Sequence, residues 1–105
     1  MTHVHYEPGK YRLRINGHSG AARCGEDVVC ASMTILGFTL LAAALERDEY
    51  NLLYDIDEKT ASMEFICSPE EGAKDACRYL FDIIATGCEI VAGNEPDFVT
   101  FERSE

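Results

Sequence analysis

Residues 17–31 read GHSGAARCGEDVVCA, and this stretch decides how the chain is interpreted. It joins an alternating, strand-like run that ends at Asn16 to a long apolar run that begins after Asp27. His18 stands at the end of the first run, and Cys30 stands just inside the second. Glycines in between are typical of a loop. The order predicts a strand, a loop and a helix that bring an imidazole toward a thiol, a layout suited to a thiolate nucleophile and its base.

Five short runs around this stretch predict β-strands, because they alternate apolar and polar residues or are rich in β-forming types. They are residues 2–6, 11–16, 51–56, 62–67 and 98–101. Turn-forming residues at positions 7–10 and 57–60 join the first two and the next two of these runs into hairpins. Short hairpin links favour antiparallel pairing.

Two longer apolar runs predict helices. The first follows Asp27, which is well suited to be its N-cap, and continues to about Glu46. The second carries a capping box, with Ser68 as the cap, Pro69 at the first helical position and Glu71 two positions later. The resulting order β-β-α-β-β-α-β over residues 1–105 indicates a single α+β domain with a small antiparallel sheet and two helices.

Composition excludes several classes of function. The net charge is −10 with no basic patch, which disfavours direct binding of nucleic acid through its phosphates. The first residues lack the basic start and apolar core of a signal peptide. The five cysteines contain no CxxC pair, so we expect reduced thiols in a cytoplasmic protein.

The uncharged run at 28–45 reaches the lower edge of the length of a membrane span. It contains several Ser, Thr, Gly and Ala residues and lacks aromatic or basic anchors at its ends, so we expect a buried helix and no contact with a membrane. The helix is apolar on nearly every side. We therefore expect the sheet, the second helix or a second subunit to cover it, which in so short a chain favours a homodimer.

The predicted cap places Cys30 at the third position of the first helix, where the positive end of the helix dipole favours a thiolate. Unpaired backbone N–H groups there are candidates for an oxyanion hole. Asp27 has two interpretations: it caps the helix, or it is a third member that orients His18. Ala31 and Thr34 follow the nucleophile and are candidates for oxyanion binding or for a pocket wall. The ordinary alternative is that Cys30 is a core residue and His18 a surface residue.

With Gly17-His18 followed by Gly25-Glu26-Asp27-Val28-Val29-Cys30-Ala31, the chain resembles the bacterial ribosomal-processing cysteine protease family, Prp. The family pattern is Gly-His-Ala, a short loop, then Gly-x-Asp-Ile-Val-Cys-Ala, and the spacing from histidine to cysteine is the same here. Departures are Ser19 in place of the usual Ala, Val28 in place of Ile, Thr34 in place of Ser, and the bulkier pair Ser32-Met33.

The resemblance implies roles and a function. His18 matches the catalytic histidine, Cys30 the nucleophile, Gly17 the glycine beside the histidine, and Asp27 the acidic residue at the helix start. The resemblance implies a compact α+β fold, a homodimer and no need for a cofactor. The family removes a short N-terminal extension from a large-subunit ribosomal protein (L-twenty-seven), so the implied partner is a ribosomal protein with such an extension.

Two alternatives remain open at this point. One is a non-catalytic, ribosome-associated binding module that uses the same surface to hold a basic protein. The other is a metal or redox site built on His18, Cys24 and Cys30, against which the lack of a fourth suitably spaced ligand counts. We therefore expect no metal.

Overall fold

The computed structural model describes residues 1–20 and 27–105. Five strands and two long helices follow in the predicted order: β1 (Thr2–Glu7), β2 (Arg12–Asn16), α1 (Val28–Leu45), β3 (Leu53–Asp57), β4 (Ser62–Ile66), α2 (Lys74–Asn94) and β5 (Val99–Arg103). Three short 3-10 helices, Pro8–Lys10, Asp48–Tyr50 and Glu71–Ala73, lie in the connections. The α+β fold class is confirmed.

The five strands form one sheet in the order β3-β4-β2-β1-β5. The β1–β2, β2–β4 and β3–β4 pairs are antiparallel, as hairpin links require, but β5 pairs with β1 in parallel. The predicted antiparallel sheet is therefore confirmed for three of the four strand pairs, and the β1–β5 pair is the parallel exception. The reason is the connection, since α2 carries the chain from β4 across to the far side of β1 before β5 begins.

One face of the sheet and the two helices enclose the core. Alternation along the strands sends every second side chain to this face. The fully or nearly fully buried apolar strand residues there are Val4, Tyr6, Leu13, Ile15, Met63, Phe65 and Val99. The helices contribute Met33, Leu40, Ala44, Cys77, Phe81, Ile84 and Cys88. At the closest approach of the helices, a Cβ on Gly87 would lie 2.6 Å from a methyl of Leu36, so this glycine permits the contact.

Helix α1 begins directly after Asp27, as predicted, but its neighbours cover only one side of it. Its outer side leaves Ile35 63% exposed, Phe38 41% exposed and Leu45 53% exposed. Among the helices of the described residues, α1 is long and apolar enough to cross a membrane, a test that the core helix of a soluble protein also passes. The sheet and α2 therefore supply only part of the cover that so apolar a sequence requires.

Helix α2 begins at Lys74, so the predicted start at the Ser68 capping box is wrong. The backbone N–H of Ser68 donates to Tyr50 (3.1 Å), and the N–H of Glu70 donates to Glu49 (2.9 Å). These bonds hold the segment in an irregular conformation against the Asp48–Tyr50 turn, and Ala73, the N-cap of α2, provides no side-chain cap. Tertiary hydrogen bonds have overridden a local capping signal.

Candidate active site

A cavity of about 190 Å³ opens between the start of α1, the end of β2 and the β3–β4 hairpin. His18 and Cys30 both border it, so the fold brings together the two residues that the sequence singled out. The apolar part of its wall consists of Ile15, Met33, Phe38, Ile56 and Met63. The mouth also carries two acidic residues of the hairpin, Asp57 and Glu58. The contribution of the hairpin was missed by sequence reasoning, because it depends on the order of strands in the sheet.

Cys30 is held by the first turn of α1. Asp27 is the N-cap with an extended backbone, and its Oδ1 accepts the N–H of Cys30 at 2.9 Å. The predicted third helical position of the cysteine is confirmed by this geometry. The thiol is half-buried beside the positive end of the helix dipole.

His18 follows a backbone that is fixed on its N-terminal side. Gly17 has φ +96°, its N–H donates to the carbonyl of Ala61 at 2.9 Å, and its own carbonyl accepts the Thr2 hydroxyl at 2.9 Å. A Cβ at position 17 would lie 2.6 Å from the carbonyl oxygen of Met1, so only glycine fits there. His18 itself is exposed. The carbonyl of His18 accepts a hydrogen bond from the amino group of Met1 at 2.7 Å. Its ring is not hydrogen-bonded to the Cys30 thiol within residues 1–20 and 27–105, although both residues border one cavity.

The residue after the histidine is also fixed, and the sequence reasoning gave it no role. Ser19 is buried, and its hydroxyl donates to Oδ2 of Asp27. The Asp27 carboxylate thus connects the residue beside His18 with the backbone of Cys30. The available signal was the departure from the family pattern at this position, where a polar residue stands in place of alanine.

The two pocket candidates after the nucleophile lie in different surroundings. Thr34 borders the cavity, and its hydroxyl donates back to the carbonyl of Cys30 at 2.9 Å. Ala31 is exposed and is not part of the cavity wall. Its N–H already donates to the carbonyl of Asp27 at 3.0 Å, as the first bond of the helix. An oxyanion at the cavity therefore cannot use the Ala31 N–H without breaking that bond.

The remaining cysteines of the described residues belong to the core. Burial raises the pKa of Cys67 and of Cys88 to about 12, and it also raises the pKa of Cys77. These thiols stay protonated at neutral pH, which leaves Cys30 as the accessible thiol of the described part of the chain. Cys24, a member of the metal or redox alternative, lies outside the described residues. Within 1–20 and 27–105, no group of three or more His, Cys, Asp or Glu residues is arranged to hold a metal.

Solved structures share this fold. The ribosomal processing protease Prp from S. aureus, in complex with a covalently linked product peptide, superposes with a TM-score of 0.86 at 14% identity, over 99% of this chain and 100% of that one. The same protease with a substrate peptide gives a TM-score of 0.80 at 13% identity, over 99% and 100% of the two chains.

A further structure, SMU.848 from Streptococcus mutans, gives a TM-score of 0.74 at 24% identity, over 97% of this chain and 90% of that one. No curated protein matches the chain. The sequence model described as cysteine protease Prp matches residues 1–100, which is nearly the whole chain. The chain therefore belongs to the cysteine protease Prp family.

Proposed function

We propose that this protein is a cysteine endopeptidase with a Cys30–His18 dyad that removes the N-terminal extension of a ribosomal protein. The observation that carries the proposal is the cavity bordered by both side chains, in a chain that belongs to a cysteine protease family. The substrate class is supported by the similarity in fold to a ribosomal processing protease. Such a task is carried out where ribosomes are assembled, so we expect a cytoplasmic protein.

The proposed reaction runs through an acyl-enzyme. His18 takes the proton of the Cys30 thiol, and the thiolate attacks the scissile carbonyl carbon to form a tetrahedral intermediate. The positive end of α1 stabilises the oxyanion. His18 then protonates the leaving amine as the C–N bond breaks. Water attacks the thioester and gives a proton to the same imidazole; the C–S bond then breaks, the product carboxylic acid leaves, and the imidazolium returns its proton to the Cys30 thiolate.

The proposed reaction requires the His18 side chain to come within hydrogen-bond reach of the Cys30 thiol. His18 is exposed at the edge of the cavity, so its side chain is free to turn toward Cys30 about its own torsions. Catalytic hydrogen bonds are often long or absent until substrate is bound. The fixed backbone of Gly17 limits the movement to the side chain.

The walls of the cavity suggest which peptide fits. The apolar side chains of its wall favour an apolar residue of the substrate next to the scissile bond. Asp57 and Glu58 at the mouth, together with the net charge of −10, attract a basic protein by long-range steering. An extension with apolar residues before the cleavage site and basic residues near it meets both requirements.

The function is tested by incubating the purified protein with the unprocessed ribosomal protein and measuring intact masses. We expect the wild type to release the extension and Cys30→Ala to release none, because the nucleophile is gone. Cys24→Ala is the matched control, since it removes another thiol of the same segment, and it should cleave normally. Binding of the unprocessed protein without cleavage by the wild type would favour the binding module instead.

The exposed side of α1 supports a homodimer. Ile35, Phe38 and Leu45 form an apolar surface on a helix that the rest of the chain covers on one side only. A surface of this kind on a small protein is typical of an interface. Phe38 also borders the cavity, so a second subunit on this face would lie next to the substrate.

We expect sedimentation at micromolar concentration to give twice the mass of one chain. Ile35→Asp should yield monomers, because it places a charge in the proposed interface. Leu53→Asp is the matched control, since Leu53 is 71% exposed on β3 and belongs to a different element. A monomeric wild type, or an unchanged mass in Ile35→Asp, would contradict the dimer.

A further inference from the structure

We infer that Ser19 is a positioning residue, which acts through Asp27 to set the distance between His18 and the nucleophile. The inference rests on the proposed function, because it assigns a task to a neighbour of the dyad. It concerns a residue at which this chain departs from the family pattern.

Ser19 and Cys30 both donate a hydrogen bond to the carboxylate of Asp27. The side chain of Ser19 is 2% exposed, and its hydroxyl donates to Oδ2 of Asp27. The other oxygen of that carboxylate, Oδ1, accepts the N–H of Cys30 at 2.9 Å. The path from the histidine to the nucleophile thus runs through two hydrogen bonds and the side chains of Ser19 and Asp27, whereas along the chain it runs through residues 19–29.

This connection completes the fixation of the backbone around His18. On the N-terminal side, Gly17 is bound to Thr2 and to Ala61. On the C-terminal side, Ser19 is bound to Asp27. A catalytic base is effective only while it is held in the productive geometry, and a misplacement of about 1 Å can cost on the order of 100-fold in rate.

Ser19 also affects the electrostatics of the dyad. The Asp27 carboxylate lies next to the backbone of Cys30, and its negative charge opposes the formation of a thiolate there. A hydroxyl that donates to the carboxylate partly offsets the field of that charge at the thiol of Cys30.

The first test compares Ser19→Ala with the wild type. We expect kcat for cleavage to fall about tenfold with KM changed by less than about twofold, because the dyad is misaligned while the walls of the cavity are intact. The rate of alkylation of Cys30 by iodoacetamide should reach half its maximum at a higher pH than in the wild type, because the thiolate is less stabilised.

Ser32→Ala is the matched control, and it lies on α1, the helix that carries Cys30. Its hydroxyl donates to the carbonyl of Val28 at 2.8 Å and does not border the cavity, so kcat, KM and the pH profile should all stay at wild-type values. Rates are referred to folded protein, counted as the fraction in which the buried thiols of Cys67, Cys77 and Cys88 resist a thiol reagent, so that a partly unfolded variant is still measured. Wild-type kcat and a wild-type pH profile in Ser19→Ala would overturn the inference.

A double-mutant cycle tests whether Ser19 acts through Asp27. Asp27→Asn keeps a good helix cap but replaces the charged acceptor of the Ser19 hydroxyl. If Ser19 acts through the carboxylate, Ser19→Ala costs much less in the Asp27→Asn background than in the wild type. Equal costs in both backgrounds would overturn this route. Alkylation needs no substrate, so a wild-type protein that fails to cleave ends the proposed function but leaves the role of Ser19 decidable.

Discussion

Replacing His18 by alanine is expected to slow cleavage of the unprocessed substrate by about 10³-fold. The imidazole is the only titratable ring that borders the cavity among the described residues, and in the proposed reaction it moves the proton at every step. Without it, the thiolate forms less often and the leaving amine departs unprotonated. The measurement is the single-turnover rate of extension release, followed by intact mass.

The rate at which iodoacetamide alkylates Cys30 is a second measurement on His18→Ala. Exposure alone predicts that iodoacetamide modifies Cys30 before the three buried cysteines, so preferential labelling does not prove activation. The discriminating result is the pH profile. We expect the rate for Cys30 to reach half its maximum at a higher pH in His18→Ala, because an imidazolium no longer stabilises the thiolate.

The matched control for this variant is His3→Ala. His3 is exposed on β1, its ring is hydrogen-bonded to Thr100 at 2.8 Å, and it does not border the cavity. Cleavage and alkylation should therefore match the wild type. The dyad would be contradicted if His18→Ala cleaved and reacted as well as His3→Ala.

Replacing Gly17 by alanine is expected to lower the free energy of unfolding by about 2–3 kcal/mol and to abolish most of the activity. The residue has φ +96°, where side chains are strained, and the new methyl would meet the Met1 carbonyl oxygen at 2.6 Å. Relief of this clash requires a shift of the backbone that carries His18. Denaturant unfolding and the cleavage rate check the two parts of the prediction.

Gly20→Ala measures the cost of a positive φ without a steric clash, whereas Gly17→Ala has both. Gly20 also has a positive φ, +75°, but no atom of the described residues lies within 4 Å of a Cβ built there. We expect it to lose about 1–2 kcal/mol from the backbone conformation alone. Equal losses in the two variants would show that the approach of Met1 to Gly17 has no effect.

The sequence was sufficient for features that depend on neighbouring residues. Alternation predicted the strands, and the polar-to-apolar boundary after Asp27 predicted the start of α1 and the third helical position of Cys30. Each of these follows from local chemistry: the side-chain period of a strand, or the acceptor that the first turn of a helix requires.

Features that depend on distant pairing were missed. The capping box at Ser68 was a sound local signal, but hydrogen bonds to Glu49 and Tyr50 compete with it. The parallel edge strand and the contribution of the β3–β4 hairpin to the cavity follow from the strand order, which no local pattern encodes.

The candidate site shows the same division. The motif named His18 and Cys30, and the fold brings them to one cavity. The hydroxyls of Thr2 and Ser19, which fix the backbone on either side of His18, carry no periodic or spacing signal. The sequence alone does not show whether a serine or threonine caps a helix, binds a distant backbone group or faces solvent.

Because β5 is the last strand of the chain and pairs with β1, we expect the site to be completed late during synthesis and folding. Thr2, which anchors Gly17, donates its own N–H to the carbonyl of Phe98, and its strand gains its second neighbour only when residues 99–103 arrive. During synthesis, His18 and Cys30 leave the ribosome early, before β5 is available to pair with β1. We expect the sheet around Thr2 to be complete only after residues 99–103 have left the ribosome.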